Sequence, residues 1–218
     1  MNSLIIALIA GTVVMFGTML LCRHQFTIPL WKLAVLAVLV ALTGLFSTKI
    51  MSFVESGSWK GTSFFGAVFL LPLWLIPIAR LLRIPACHAI DITAPCVYTM
   101  LAVMKVKCLI VGCCRGRILW VNEEKEVIRF PSQWAELIAG LLLAGVMIYL
   151  ICKGTKKGKV YPVSMIVYGI VRFILNWFRE TTPFIWLLPA GNFWSLIAIA
   201  AGLIWLWYLK KHPQRKER

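Results

Sequence analysis

The chain has 218 residues, of which 61% are hydrophobic and 14% charged, and its mean hydropathy is +0.85. Soluble domains carry about 25% charged residues, so a water-soluble globular fold is excluded and a polytopic integral membrane protein is expected. The formal charge of +15 would suggest nucleic acid in a soluble domain; here it reads as topology and contact with anionic headgroups, and no nucleic-acid partner is expected.

A span needs about 20 mostly apolar residues. Stretches 4–21, 29–47, 62–82, 89–111, 134–152, 160–178 and 192–209 reach or approach that length. They predict an all-α membrane protein of about seven transmembrane helices, in one domain over residues 1–218. The first run precedes further spans and no small-residue cleavage site follows it, so it reads as a retained helix and not a signal peptide. Thirteen of the 23 basic residues fall in alternate connections and at the C-terminus: Arg23, Lys32, Arg80, Arg83, four lysines between 153 and 159, and five after 209. Cytoplasmic flanks accumulate Lys and Arg, which places the N-terminus outside and the C-terminus in the cytoplasm. The tryptophans lie near predicted helix ends and read as interfacial anchors or packing.

Helix four begins at Asp91-Ile92-Thr93-Ala94-Pro95, a structural start, and ends near Lys105 and Lys107. The stretch from Lys105 to Glu136 is the long polar interruption of the chain and holds ten of its 31 charged residues. Within it, Gly112-Cys113-Cys114-Arg115-Gly116-Arg117 admits three chemistries. Zinc on Cys108, Cys113 and Cys114 lacks C-x-x-C spacing and a clear fourth ligand. A disulfide between neighbouring cysteines is strained. The preferred reading is a turn in which Gly112 and Gly116 let backbone amides approach an anion, with Arg115 and Arg117 nearby. Seven cysteines in all, an odd count mostly in apolar runs, otherwise read as small buried hydrophobes. The charged middle, Asn122–Glu126, reads as a solvated connector.

Helix five opens on Pro131-Ser132-Gln133-Trp134-Ala135-Glu136. Proline followed by a carboxylate one turn on is an ordinary helix start, yet Glu136 is followed by sixteen uncharged residues and stands at the apolar boundary. In helix six, Tyr168, Arg172, Asn176 and Arg179 fall on one face. Arg172 is too deep to snorkel easily and calls for an acidic partner, for which Glu136 is the candidate. Guanidinium groups also bind phosphate through two parallel bonds, so Arg172 and Arg179 suit a lipid phosphate. No Ser-His-Asp or Cys-His arrangement stands out; His24, His212 and Cys87-His88 fall on the inner side.

Two blocks carry a family resemblance. Arg129-Phe130-Pro131-Ser132-Gln133-Trp134-Ala135-Glu136, and Tyr168-Gly169-Ile170-Val171-Arg172-Phe173 through Asn176-Trp177-Phe178-Arg179, resemble the patterns R-H-P-S-Q-x-Y-E and Y-G-x-x-R followed by E-F-x-R of the prolipoprotein diacylglyceryl transferases. The run ending at Gly116 is similar to the family signature G-R-x-G-N-F-x-N-G-E-x-x-G, without a gap. The resemblance covers the C-terminal two thirds of the chain; before residue 90 it rests on helix placement.

The resemblance implies a seven-helix enzyme of the bacterial cytoplasmic membrane that moves a diacylglyceryl group from phosphatidylglycerol, or a related anionic phospholipid, to a cysteine thiol of a prolipoprotein. It implies no metal and no organic cofactor. Arg172, Glu136 and Arg179 take catalytic places; Lys105, Gly112, Gly116, Arg129, Ser132, Gln133, Tyr168 and Asn176 take substrate-binding ones. The chain also departs from the family. The signature arginine falls on Lys105, its asparagines on Cys108 and Val111, and its acid on Cys113. The histidine of the family's H-G-G motif falls on Phe65, and the helix-six acid on Asn176. A G-C-C run also marks some divergent members. These departures keep two alternatives open: a non-catalytic lipid- or partner-binding protein on the same scaffold, and a different transferase with Cys113 or Cys114 as nucleophile.

Overall fold

The computed structural model describes residues 2–59, 61–121, 127–155, 157–180, 184–185 and 187–212. The connector expected over Asn122–Glu126, together with Lys156, Trp186 and the basic residues Arg215, Lys216 and Arg218, lies outside them. Seven α-helices make the body: α1 Asn2–Cys22, α2 Leu30–Ser56, α3 Phe64–Leu82, α4 Ala86–Val111, α5 Ser132–Cys152, α6 Val160–Asn176 and α7 Ala190–Lys211. Six are long and apolar enough to cross a membrane, and α6 is a shorter apolar helix. Its 17 residues sit at the lower limit for a span, about 17 to 25 residues.

Proline begins four of these helices. Pro29, Pro85, Pro131 and Pro189 immediately precede α2, α4, α5 and α7, where a fixed φ and a missing N–H cost nothing. Helix α2 runs nine residues past its expected end at 47. Its last turns, through Lys49 and Glu55, are too polar for a hydropathy pattern to register, although nothing in them breaks a helix. A 3-10 turn, Arg23–Gln25, and two short antiparallel ribbons, β1 Ile118–Val121 with β2 Val127–Arg129 and β3 Phe184–Ile185 with β4 Leu188–Pro189, complete the elements of the described residues.

Helix α4 is central and packs against α1, α3, α5 and α6, while α6 and α7 form the tightest pair. One hydrophobic cluster runs through the bundle, with Met19, Leu36, Leu75, Ile92 and Met147 fully enclosed. Large apolar side chains such as Ile9, Leu42, Leu81, Ile110, Leu142 and Leu203 face outward, as a bilayer requires and water does not favour.

Buried polar groups tie the helices together. The only aspartate, Asp91, accepts backbone hydrogen bonds from Gly158 and Tyr161 and so holds the start of α6. Tyr98 donates its hydroxyl to the Ser164 carbonyl at 2.9 Å, and Tyr161 donates to that of Val68 at 3.1 Å. The C-terminal ends of α1, α3, α5 and α7 lie at one end of the bundle. The site lies at the other, where α4 and α6 end and α5 begins.

Candidate active site

Glu136 is one turn into α5 and only 4% exposed. Its Oε2 accepts from Lys105 Nζ of α4 and from Arg172 Nη1 of α6, each at 2.7 Å. Arg179, just beyond α6, brings Nη1 to 3.8 Å from Oε1. One carboxylate thus joins three helix ends and faces three cations. The Arg172–Glu136 pairing expected from the depth of Arg172 in its span is present, and Lys105 is a second direct partner. Among the described residues Arg172 Nε and Glu136 Oε1 are buried with no hydrogen-bond partner, so the cluster retains both unused donor capacity and excess positive charge.

The cluster closes one end of a cavity of about 200 Å³. Lys105, Glu136, Tyr168, Arg172 and Arg179 line its polar end, with Cys108 and Cys114 beside them. The remainder is mostly apolar, with Leu8, Val40, Ala67, Leu71 and Met100 among its lining from α1 to α4. A charged end continuous with an apolar body complements a molecule that has an anionic head and hydrocarbon chains.

Tyr168 is buried in an aromatic group, with ring centroids of Phe64, Phe65 and Tyr98 at 5.2, 5.6 and 5.7 Å. Phe65, which replaces the histidine implied by the resemblance, is therefore packing. No histidine lines the cavity among the described residues.

The remaining expected residues shape the rim. Gly112 ends α4 with φ +71°, a conformation that favours glycine. Gly116 pairs with Arg179 in an antiparallel bridge, and a Cβ there would stand 2.1 Å from the Phe130 carbonyl oxygen. Arg117 donates its N–H to the Phe178 carbonyl at 2.8 Å, and its own carbonyl accepts from Phe130 N–H at 2.9 Å, pinning the loop between α6 and β2. Ser132 Oγ donates to the Cys114 carbonyl at 2.8 Å. Gln133 Nε2 donates to the carbonyls of Cys113 and Cys108. Ser132 and Gln133 thus hold the loop in place. Arg129 pairs with Glu180 at 2.7 Å, outside the cavity lining. Asn176 donates to Asn192 at the start of α7. Arg115 turns back on the Gly112 carbonyl at 3.3 Å and is exposed.

One feature escapes sequence reasoning, and a second is weighed there but not preferred. Glu55, at the end of α2, accepts a hydrogen bond from Ser63 Oγ at 2.7 Å and acts electrostatically on Arg172 and Arg179; its only signal is an acid at the end of an apolar run. Cys108, Cys113 and Cys114 bring their sulfurs within 4.8 Å of one another, a grouping that could hold a metal ion and that their spacing does not announce. The Cys114 thiol is pulled down to about 5, first by the hydrogen bond from Cys108 and then by the charges of Lys105 and Arg179.

A family model described as prolipoprotein diacylglyceryl transferase matches residues 48–208. The phosphatidylglycerol–prolipoprotein diacylglyceryl transferase of Polaromonas naphthalenivorans is 31% identical over 165 residues, covering 68% of this chain and 60% of that protein. The proteins of the same name from Paracidovorax citrulli and Clostridium tetani are 28% and 25% identical, over 72% and 52% of this chain and 64% and 50% of their own length. The chain thus spans less than two thirds of the length of these relatives.

Proposed function

The chain belongs to the prolipoprotein diacylglyceryl transferase family, and from that premise we propose that it transfers a diacylglyceryl group from phosphatidylglycerol to a lipobox-type cysteine thiol at the outer face of the bacterial cytoplasmic membrane. The observation that carries this reading is the cavity, whose polar end sets Lys105, Arg172 and Arg179 against a single contacting carboxylate and whose body is apolar.

In this reaction the acceptor thiolate attacks the glycerol carbon that bears the phosphate ester, the carbon–oxygen bond breaks, and glycerol phosphate leaves as a thioether forms. Negative charge grows on the departing phosphate. Arg172 and Arg179 stand where they meet it, and preorganised cations in a water-poor site stabilise such charge most. Glu136 holds the cations in register. Glu55 tempers their excess, so the end of the cavity suits a phosphodiester monoanion better than a multiply charged group.

Purified protein is to be supplied with phosphatidylglycerol and a lipobox peptide, and the peptide mass followed. The expected result is a gain of one diacylglyceryl group with release of glycerol phosphate, reduced about 10²- to 10³-fold in Arg172→Ala. No gain, with an authentic transferase active alongside, counts against the assignment. The packing of Phe65 against Tyr168, where the family carries a histidine, favours a second reading as a lipid- or partner-binding protein without turnover. Phospholipid that co-purifies without turnover and is retained in Glu136→Gln would select that reading.

A further inference from the structure

We propose that Cys108, Cys113 and Cys114 form a zinc site at the mouth of the cavity, whose open fourth position takes the acceptor thiol and holds it as the thiolate. The proposal rests on the transfer reading above, names what activates the nucleophile, and departs from the metal-free reaction that the resemblance implies because three cysteines converge where the base is missing. That reading needs a deprotonated thiol, because the thiolate is the attacking species. The cavity offers no histidine for the task among the described residues, and Phe65 fills the place where the resemblance puts one.

The geometry is that of an assembled ligand set. Cys108 sits in the last turn of α4, Gly112 reverses the chain, and Cys113 and Cys114 return toward it. The sulfurs of Cys108 and Cys114 are 3.9 Å apart; two thiolates at about 2.3 Å from a tetrahedral zinc are about 3.8 Å apart. Cys114 has φ +59°, a left-handed conformation uncommon for a residue with a side chain and found where surrounding structure imposes it. The imposing contacts are visible. Ser132 and Gln133 hold the carbonyls of all three cysteines from the first turn of α5, acting as the supporting shell that metal sites require.

Three protein ligands and one open position are the pattern of zinc sites that act on a substrate, whereas purely structural sites are closed by a fourth protein ligand. Soft sulfur donors select zinc or monovalent copper over harder ions, and the proposed step needs a metal that does not change oxidation state. Cys108 and Cys114 line the same cavity as Lys105 and Arg179, and Cys113 is exposed. An ion held there stands beside the phosphate-binding end and is reachable from outside. The acceptor thiol gives its proton to water on coordination, since a metal-bound thiol is deprotonated outright. The thiolate then attacks the glycerol carbon, and the bonding pair of the broken carbon–oxygen bond leaves with glycerol phosphate. No electron is transferred to or from the metal.

The test uses the full chain, purified under reducing conditions, loaded with zinc and dialysed. Expected are a single zinc per chain and an X-ray absorption spectrum with three sulfurs at about 2.3 Å. Added lipobox peptide should raise the sulfur count to four. Zinc content should fall roughly tenfold or more in the combined Cys108→Ser, Cys113→Ser, Cys114→Ser variant and stay unchanged in Cys152→Ser, which alters an exposed cysteine at the other end of α5. The spectrum of the unaltered protein stands even if the triple variant folds poorly. Equal zinc in the triple variant and the parent overturns the site, as does a parent mass two hydrogens low from a Cys108–Cys114 disulfide. Turnover that survives the triple substitution overturns the zinc proposal and leaves the transfer reading intact. Zinc bound by three sulfurs with no peptide turnover overturns the transfer reading instead.

Discussion

Glu136 is the residue on which the site converges, because its carboxylate satisfies Lys105 and Arg172 directly and restrains Arg179. Removing one partner of a buried ion pair leaves the others desolvated and uncompensated, which costs about 3–5 kcal/mol. Glu136→Gln should therefore lower the thermal unfolding temperature of the purified protein well below that of an exposed control such as Lys153→Gln; equal temperatures would show that the carboxylate does not hold the cations. Arg172→Lys makes the complementary change. It keeps the charge but exchanges a planar fork for a point charge, so stability should hold while turnover falls by about tenfold or more. Loss of both together would make Arg172 a packing residue and remove it from phosphate binding.

At the scale of elements, the loop between α4 and β1 is shaped by what it leans on. Gly116 approaches the Phe130 carbonyl so closely that Gly116→Ala forces the backbone to move, at a cost of about 1–3 kcal/mol. Because Gly116 is bridged to Arg179, the same substitution should weaken phospholipid retention in a pull-down with radiolabelled phosphatidylglycerol. Gly112→Ala meets nothing within 4 Å and carries only the penalty of a positive φ, about 1 kcal/mol, so it should lose stability while retaining lipid.

These elements also separate what can be read from one dimension and what cannot. The face of α6 that carries Tyr168 and Arg172 is legible, because helical spacing and the expense of an ion in a membrane act on the sequence directly. So is the position of Glu136 at an apolar boundary. The last turns of α2 are not, since hydropathy loses the helix where it turns polar, and Glu55 goes with them. The pairing of Arg129 with Glu180 depends on how the start of α5 and the end of α6 sit relative to each other. The convergence of Cys108 with Cys113 and Cys114 depends on a left-handed residue and two clamps from α5. Neither leaves a periodicity to find.

For the whole molecule, the bundle is polarised from end to end. Arg80, Arg83, Lys153, Lys210 and Lys211 stand at or just past the C-terminal ends of α3, α5 and α7, while the cluster around Glu136 occupies the opposite end. A belt of outward apolar side chains separates the two. Basic flanks remain on the cytoplasmic side, so the cavity end should face outward, where the transfer proposed above needs its acceptor. Two exposed cysteines report the two ends: Cys113 in the loop after α4 and Cys152 at the close of α5. In variants that retain one or the other as sole cysteine, a membrane-impermeant maleimide applied to intact cells should label Cys113 and spare Cys152 until the membrane is opened. Loss of the other two ligands dismantles any zinc site in the Cys113-only chain, so its thiol is free to react. The reverse labelling pattern would turn the molecule over and set the cavity end in the cytoplasm; the transfer proposed above could not then take place at the outer face.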